Sequence, residues 1–171
     1  GGDNAINFLK AVRNMLAGSG KGTNMTVKWD GAPAIICGVN PENGKFFVGT
    51  KSVFNKTPKI NYTSRDIARN HGGVVADKLN VCLANLSRLR IKGILQGDLL
   101  FTNDLKAVTI DGEKMVSFTP NTITYAVPQN SDLGKRILKA KMGIVFHTSY
   151  SGKTMDKFSA GFGTVTGSSN R

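Results

Sequence analysis

The sequence predicts an α+β fold with largely antiparallel sheets and packed helices, and three observations predict it. Apolar runs of strand length recur about seven or eight times, many separated only by short turns. Asn43-Gly44 and Asp111-Gly112 lie between such runs, and Asn-Gly or Asp-Gly there favours a two-residue hairpin because both central positions need φ > 0. Three longer stretches repeat apolar residues at three- and four-residue spacing, the signature of helices with one buried face.

Taken in order, residues 3–16 read as an amphipathic helix. Ile6, Leu9, Val12, Met15 and Leu16 stand at helical spacing and Asp3 is placed to cap it. Gly18-Ser19-Gly20-Lys21-Gly22-Thr23 has the spelling of a phosphate-binding loop. A Walker motif, however, needs a glycine where Met15 stands and follows a strand, so this stretch reads as a linker. Strands are expected at 24–30 and 33–39, the Asn43-Gly44 turn next, and a return strand over 45–50 with Phe46, Phe47 and Val48. The segment 51–56 leaves the sheet with Lys51 and Lys56 exposed, 59–62 is irregular, and a short helix spans 64–70.

Gly72-Gly73 breaks the chain before a helix at 74–90. Its apolar stripe is Val75, Leu79, Cys82, Leu83, Leu86 and Leu89, with Asp77, Lys78, Asn85 and Arg88 turned away. A strand carries 94–101, a hairpin covers 108–118, and another strand runs over 122–127. Ser131 caps a helix to about 141, whose Arg136, Lys139 and Lys141 lie near the C-terminal end where the helix dipole favours cations. Residues 143–148 form the last apolar strand. The predicted organisation is a single domain over 1–150 and a loosely held Gly/Ser-rich segment over 151–171.

At 171 residues the chain is long enough to bury a core, and its 40% hydrophobic and 20% charged content is that of a globular protein. No apolar run reaches the roughly 20 residues that span a bilayer, and no signal-peptide pattern opens the chain. The expectation is no membrane association and a cytoplasmic location. Gly1 rather than Met stands first, as in a trimmed chain or a fragment. Cys37 and Cys82 lie in apolar runs without metal-like spacing, and only His71 and His147 are available besides. A Cys/His zinc site is therefore disfavoured, and both thiols read as core residues of a reducing compartment. The 23 Lys and Arg against 11 Asp and Glu give a net charge of +12, which favours a polyanionic partner, nucleic acid or nucleotide first.

The stretch that organises the rest is Met25 to Ile36. Lys28 falls inside an apolar run, where an unpaired inward ammonium costs several kcal/mol to desolvate. In a strand, Val27 and Trp29 share one face while Lys28 and Asp30 share the other. Gly31 follows, and lets a ligand approach closely. Lys28-Trp29-Asp30-Gly31 resembles the Lys-x-Asp-Gly nucleophile motif of the covalent nucleotidyltransferases: DNA ligases, RNA ligases and mRNA capping enzymes. Gly49-Thr50-Lys51-Ser52 resembles the ligase segment in which a basic residue after Ser or Thr contacts the nucleotide. Gln96-Gly97-Asp98 resembles the Gly-Glu element whose carboxylate lies near ribose and metal. Residues 122–127 resemble the strand whose aromatic stacks on the base. Order and spacing agree over roughly residues 24–127. The run from Lys28 to Ala34 is also similar to uncharacterised tailed-phage proteins, which implies a viral origin and, with it, the host cytoplasm.

The chain departs from the family where Glu-Gly-x-Val-x-Lys is expected. Met142-Gly143-Ile144-Val145-Phe146-His147 keeps the glycine and valine but replaces the metal-binding Glu with Met142 and the Lys with His147. No later Lys-x-Lys strand is evident, and no room remains for the C-terminal OB-type domain of many ligases. Asp111-Gly112-Glu113 has the spelling of a ligase element, but Asp-Gly belongs at a hairpin turn for its geometry alone.

The resemblance implies an ATP- and Mg2+-dependent enzyme in which Lys28 is the nucleophile. Lys51, with Lys56 beside it in sequence, meets the phosphates. Asp98 holds the ribose or a metal-bound water. Tyr125, or less favourably Phe118, stacks on the base, with a place in the core as the other reading for both. Asp30 is either an acceptor orienting Lys28 or the first residue of a turn, and Gly31 admits the nucleotide. His147 either replaces the missing lysine at the phosphates or is structural. Three functions remain open: a polynucleotide-ligase-type nucleotidyltransferase acting on DNA or RNA ends, a relative that binds nucleotide or nucleic acid without chemistry, and a phage structural or regulatory protein.

Overall fold

The fold is α+β, as predicted, with two largely antiparallel sheets and helices packed on them. The structure, a computed structural model, describes residues 5–7, 29, 31–155 and 159–161. The larger sheet has strand order β1 (Ala5–Asn7), β8 (Met142–Ser151), β4 (Ile94–Phe101), β2 (Ala34–Val39), β3 (Phe46–Gly49), with β9 (Ser159–Gly161) on β8, and the smaller has order β5 (Lys106–Ile110), β6 (Glu113–Phe118), β7 (Tyr125–Pro128). The chain forms two compact units that interleave along the sequence: 1–33 with 99–145, and 34–98 with 146–171.

In the second of these, turn chemistry sets the register. β2 (Ala34–Val39) and β3 (Phe46–Gly49) pair antiparallel with Cys37 opposite Val48. Gly44 sits at φ +70° with its N–H donating to the Asn40 carbonyl at 2.7 Å, which closes a four-residue loop over 41–44 in which Gly44 alone takes a positive φ, so Asn43-Gly44 marks the hairpin but does not form a two-residue turn. A single 3-10 turn, Lys51–Phe54, follows. Helix α1 (Ser64–Asn70) starts on a reciprocal cap: Thr63 accepts from the Asp66 N–H, and Asp66 accepts from the Thr63 N–H. Helix α2 (Gly73–Leu86) runs into a 3-10 turn at Ser87–Leu89. β4 (Ile94–Phe101) then lies antiparallel on β2, with Asp98 opposite Ala34. Ile36, Phe47, Val53, Ile94 and Met155 form the buried core, each Ile or Phe contributing about 1.5–3 kcal/mol.

In the other unit, β5 (Lys106–Ile110) and β6 (Glu113–Phe118) are joined by Asp111-Gly112, both at positive φ. The Asp-Gly-Glu spelling is thus a hairpin turn, as its geometry predicted. β7 (Tyr125–Pro128) adds to β6, and helix α3 (Asp132–Lys139) is capped by the Ser131 hydroxyl, which accepts from the Gly134 N–H. β8 (Met142–Ser151) follows, and β1 (Ala5–Asn7) pairs parallel with its first residues. β9 (Ser159–Gly161) pairs with Ser149–Ser151; the remainder of 156–171 lies outside the described residues.

Several expectations are corrected. The helix expected over 3–16 is strand at Ala5–Asn7, where the partner is Met142–Ile144 far along the chain; its other residues lie outside those described, as does the linker 18–23. Long-range pairing overrides local helical spacing there. Trp29 is not in a strand, and the other residues of the expected strand 24–30 lie outside the described set. On α2, Val75 is 47% exposed and Asn85 is buried, the reverse of the predicted stripe. Asn85 tolerates burial because its Nδ2 donates to the Val81 carbonyl one turn back. β7 begins at Tyr125, not at 122, because Thr119 and Thr124 join hydroxyls at 2.8 Å and close the preceding residues into a loop.

Candidate functional site

The sequence-predicted site residues fall into two groups. The first surrounds the turn that follows Lys28. Lys28 and Asp30 themselves lie outside the described residues. The Ala32 N–H donates to the Trp29 carbonyl at 3.2 Å, and Gly31 sits at φ +76° in the third position of this turn. A left-handed backbone there calls for glycine. A Cβ on Gly31 would come within 2.0 Å of Asn121 Nδ2, so the β6–β7 loop packs directly on the turn.

Trp29 is buried, with its ring edge-on to Tyr125 at 4.7 Å and tilted to Phe118 at 6.3 Å. Phe118 and Tyr125 stack at 5.7 Å with 22° between their planes. Phe118 is only 3% exposed, which rules it out as a platform for a base; Tyr125 is half-buried. Such aromatic pairs are worth about 0.5–1.5 kcal/mol beyond their burial. Leu100, Val116, Leu133 and Val145 complete the cluster. The wildcard position of Lys-x-Asp-Gly is therefore the anchored one. Sequence reasoning missed Asn121, for which an exposed loop asparagine gives no periodic signal.

The second group lies on β4, β8 and the 3-10 turn. His147 Nε2 stands 3.2 Å from Asp98 Oδ1, and His147 Nδ1 stands 2.7 Å from Thr148 Oγ1. The side chains of His147 and Asp98 are 39% and 22% exposed, so the pair is open to solvent. Burial pushes the Asp98 carboxyl above its ordinary range, against the opposing pull of His147 and of Lys51. Lys51 is exposed at the start of the 3-10 turn, where Thr50 Oγ1 accepts from the Ser52 N–H at 3.2 Å. Lys56 is exposed just beyond it.

Beneath this group the Tyr150 hydroxyl donates to Gln96 Oε1, and the Tyr150 ring lies 4.8 Å from that of Phe54. Burial raises the Tyr150 hydroxyl above its usual value. Gln96 and Thr148 are buried polar residues in apolar strands, a signal that could have singled them out. Met142, where the resemblance expects a metal-binding Glu, is fully buried opposite Ala5.

Asp98, His147 and Lys51 thus come together in one unit, while Gly31 and Tyr125 belong to the other. Among the described residues no group of three or more His, Cys, Asp or Glu gathers as a metal cage, and no helix is long and apolar enough to cross a membrane. A shallow hollow on the small sheet, lined by Ala107, Val108, Thr109, Lys114 and Gln129, contains none of the expected residues.

The chain belongs to a family of unknown function, DUF6267, whose model matches residues 1–171. No curated protein and no solved structure matches it.

Proposed function

We propose that the protein is a nucleotidyltransferase of polynucleotide-ligase type, in which Lys28 takes a nucleotide from ATP for transfer to a nucleic-acid end. The observation that carries this reading is the convergence of Asp98, His147 and Lys51. A carboxylate and an imidazole touch across β4 and β8, and the Lys51 ammonium on the 3-10 turn lies near enough to act on the carboxylate. The partner of Asp98 across the sheet, Ala34, stands six residues after Lys28. An ammonium and an imidazole beside a carboxylate suit a triphosphate and its counterion.

In the reaction the neutral Lys28 Nζ attacks the α-phosphorus. An N–P bond forms, the P–O bond to the β-phosphate breaks, and pyrophosphate leaves. The ordinary lysine value of about 10.4 means Lys28 must first lose its proton, which nearby positive charge assists. Lys51 is the cation that meets the charge developing on the phosphates, with Lys56 next in sequence. His147 serves as a further phosphate contact in place of a lysine. Asp98 fits a magnesium ion carried by the triphosphate, since Mg2+ is commonly held by one or two carboxylates plus substrate phosphates. Bound there, the ion supplies charge neutralisation. In the other unit, the resemblance assigns nucleotide access to Gly31, stacking on the base to Tyr125 and the orientation of Lys28 to Asp30. The net charge of +12 favours DNA or RNA as acceptor, in the cytoplasm, of the host if the chain is viral.

Labelled ATP with magnesium, read by denaturing gel and intact mass, tests this. A covalent nucleotide that disappears in Lys28→Ala is expected. No adduct with any of the four triphosphates overturns it. One observation favours a second reading, binding without chemistry: fully buried Met142 replaces the metal-binding Glu. Salt-sensitive nucleic-acid binding without covalent labelling would support that reading.

A further inference from the structure

We infer that Asp98 and His147 form a nitrogen–oxygen half-site for a divalent first-row transition ion, with His147 Nε2 bonding the metal directly. The inference rests on the proposed function only in giving Asp98 a metal-facing role, and it replaces the direct phosphate contact of His147 with a bond to the ion. Its geometry stands without a nucleotide.

The spacing is the first argument. Two donors each about 2.0–2.2 Å from one ion lie about 3.0 Å apart at the right angle of an octahedral site and about 3.4 Å apart at the tetrahedral angle. Asp98 Oδ1 and His147 Nε2 are 3.2 Å apart, between the two. The spacing of the two donors therefore suits an ion, with the imidazole tilted so that Nε2 points at the ion rather than at Oδ1.

The second argument is on the far side of the ring. A metal-bound histidine characteristically donates its other N–H to an acceptor that fixes its orientation. His147 Nδ1 is 2.7 Å from Thr148 Oγ1, and Thr148 is buried on the same strand. In the tautomer with the proton on Nε2, the ring donates to Asp98 and accepts from the Thr148 hydroxyl. With metal, the proton sits on Nδ1 and the hydroxyl turns to accept it. The Thr148 hydroxyl, which can donate or accept, serves both arrangements.

The third argument concerns which ion. Magnesium favours oxygen donors and near-ideal octahedral geometry, whereas imidazole suits first-row transition ions. A histidine where the resembling family carries a lysine replaces a fixed positive charge with a donor. The half-site leaves the remaining positions open for water or for the oxygens of a polyphosphate. Lys51 stands near enough to act on Asp98 and opposes a bare cation.

The test uses Mn2+ as the probe, with the full chain and no ATP. Electron paramagnetic resonance counts bound Mn2+, and pulsed measurements detect 14N coupling from a directly bonded imidazole. One Mn2+ per chain with 14N coupling is expected, bound at least tenfold tighter than Mg2+ in competition. His147→Gln should remove the coupling and weaken binding at least tenfold. Thr148→Val should retain the coupling and weaken binding about tenfold or more. Lys51→Ala should tighten it. Circular dichroism checks that each variant is folded, and Lys51→Ala keeps the question open to measurement should a strand variant fail to fold. Saturable Mn2+ without 14N coupling, or no bound Mn2+ in folded wild-type protein, overturns the inference and leaves the pair as a link between strands. Labelling at Lys28 is scored separately, so the two readings can fail independently.

Discussion

Replacing Gly31 with alanine probes the turn that carries the Lys-x-Asp-Gly segment, and its cost has two separable parts. The backbone part comes from φ +76°, which an L-residue adopts at about 1–2 kcal/mol. The packing part comes from the new methyl carbon, 2.0 Å from Asn121 Nδ2 and 2.8 Å from its Cγ. Asn121 is exposed and can swing aside, so this part belongs at the low end of the roughly 1–3 kcal/mol typical of overpacking. Gly31→Ala should therefore destabilise by about 2–3 kcal/mol in urea unfolding, with the m-value unchanged. Asn121→Ala removes both close atoms and leaves only its Cβ, 3.2 Å from the new methyl carbon. In that background Gly31→Ala should cost only the backbone part, so the cycle should show a coupling of about 1 kcal/mol or more. A Gly31→Ala cost below about 0.5 kcal/mol would refute the left-handed turn. A full cost with no relief from Asn121→Ala would refute the loop packed on it.

Three further outcomes follow from local geometry. Gly134→Ala on α3 should destabilise by about 1–3 kcal/mol, although alanine is the better helix former, because its Cβ would meet the Pro128 carbonyl oxygen at 2.0 Å; thermal unfolding decides the sign. Burial, and then Lys59, lower the His71 pKa from its ordinary 6.5, so the unfolded chain binds a proton that the folded one refuses. Stability carried by His71 is complete above that value and is lost as pH falls below it, and His71→Gln should flatten the slope of urea midpoint against pH near 6. Burial raises the Cys82 thiol to about 12 and Cys37 well above its usual value, so neither should react with iodoacetamide at pH 8 until urea unfolds the chain.

Legibility followed the range of the interactions. Asn43-Gly44, Asp111-Gly112 and Ser131 each act within a few residues, and the elements they delimit lie where the spelling places them. Ala5–Asn7 shows the limit, since Ile6 stands at helical spacing with Leu9 while the hydrogen-bond partner of this stretch is Met142–Ile144. Asn85 shows another. A polar residue on an apolar face reads as a boundary, yet the Val81 carbonyl lies within reach of its amide and removes the cost of burial. At the site, residue types were legible and partnerships were not. Asp98 and His147 are 49 residues apart in sequence, and only the pairing of strands could say that they touch.

Trp29 bears on how such a site is built. In Lys-Trp-Asp-Gly the chemistry is expected of Lys28 and Asp30, and the residue between them is chemically idle. That residue is the one packed among Phe118, Tyr125, Leu133 and Val145. Lys28 and Asp30 therefore flank, in chain order, a buried anchor, and Gly31 after it is held at a dihedral that few other residues tolerate. Packing at the wildcard position fixes the turn before any ligand arrives, which is what the role proposed for Lys28 requires. The same packing gives Tyr125 a double duty. Phe118 already stacks on its ring and Trp29 meets it edge-on, so a base can use only what these leave. Tyr125→Leu should then lose stability as well as nucleotide affinity, whereas a ring serving only as a platform would lose affinity alone.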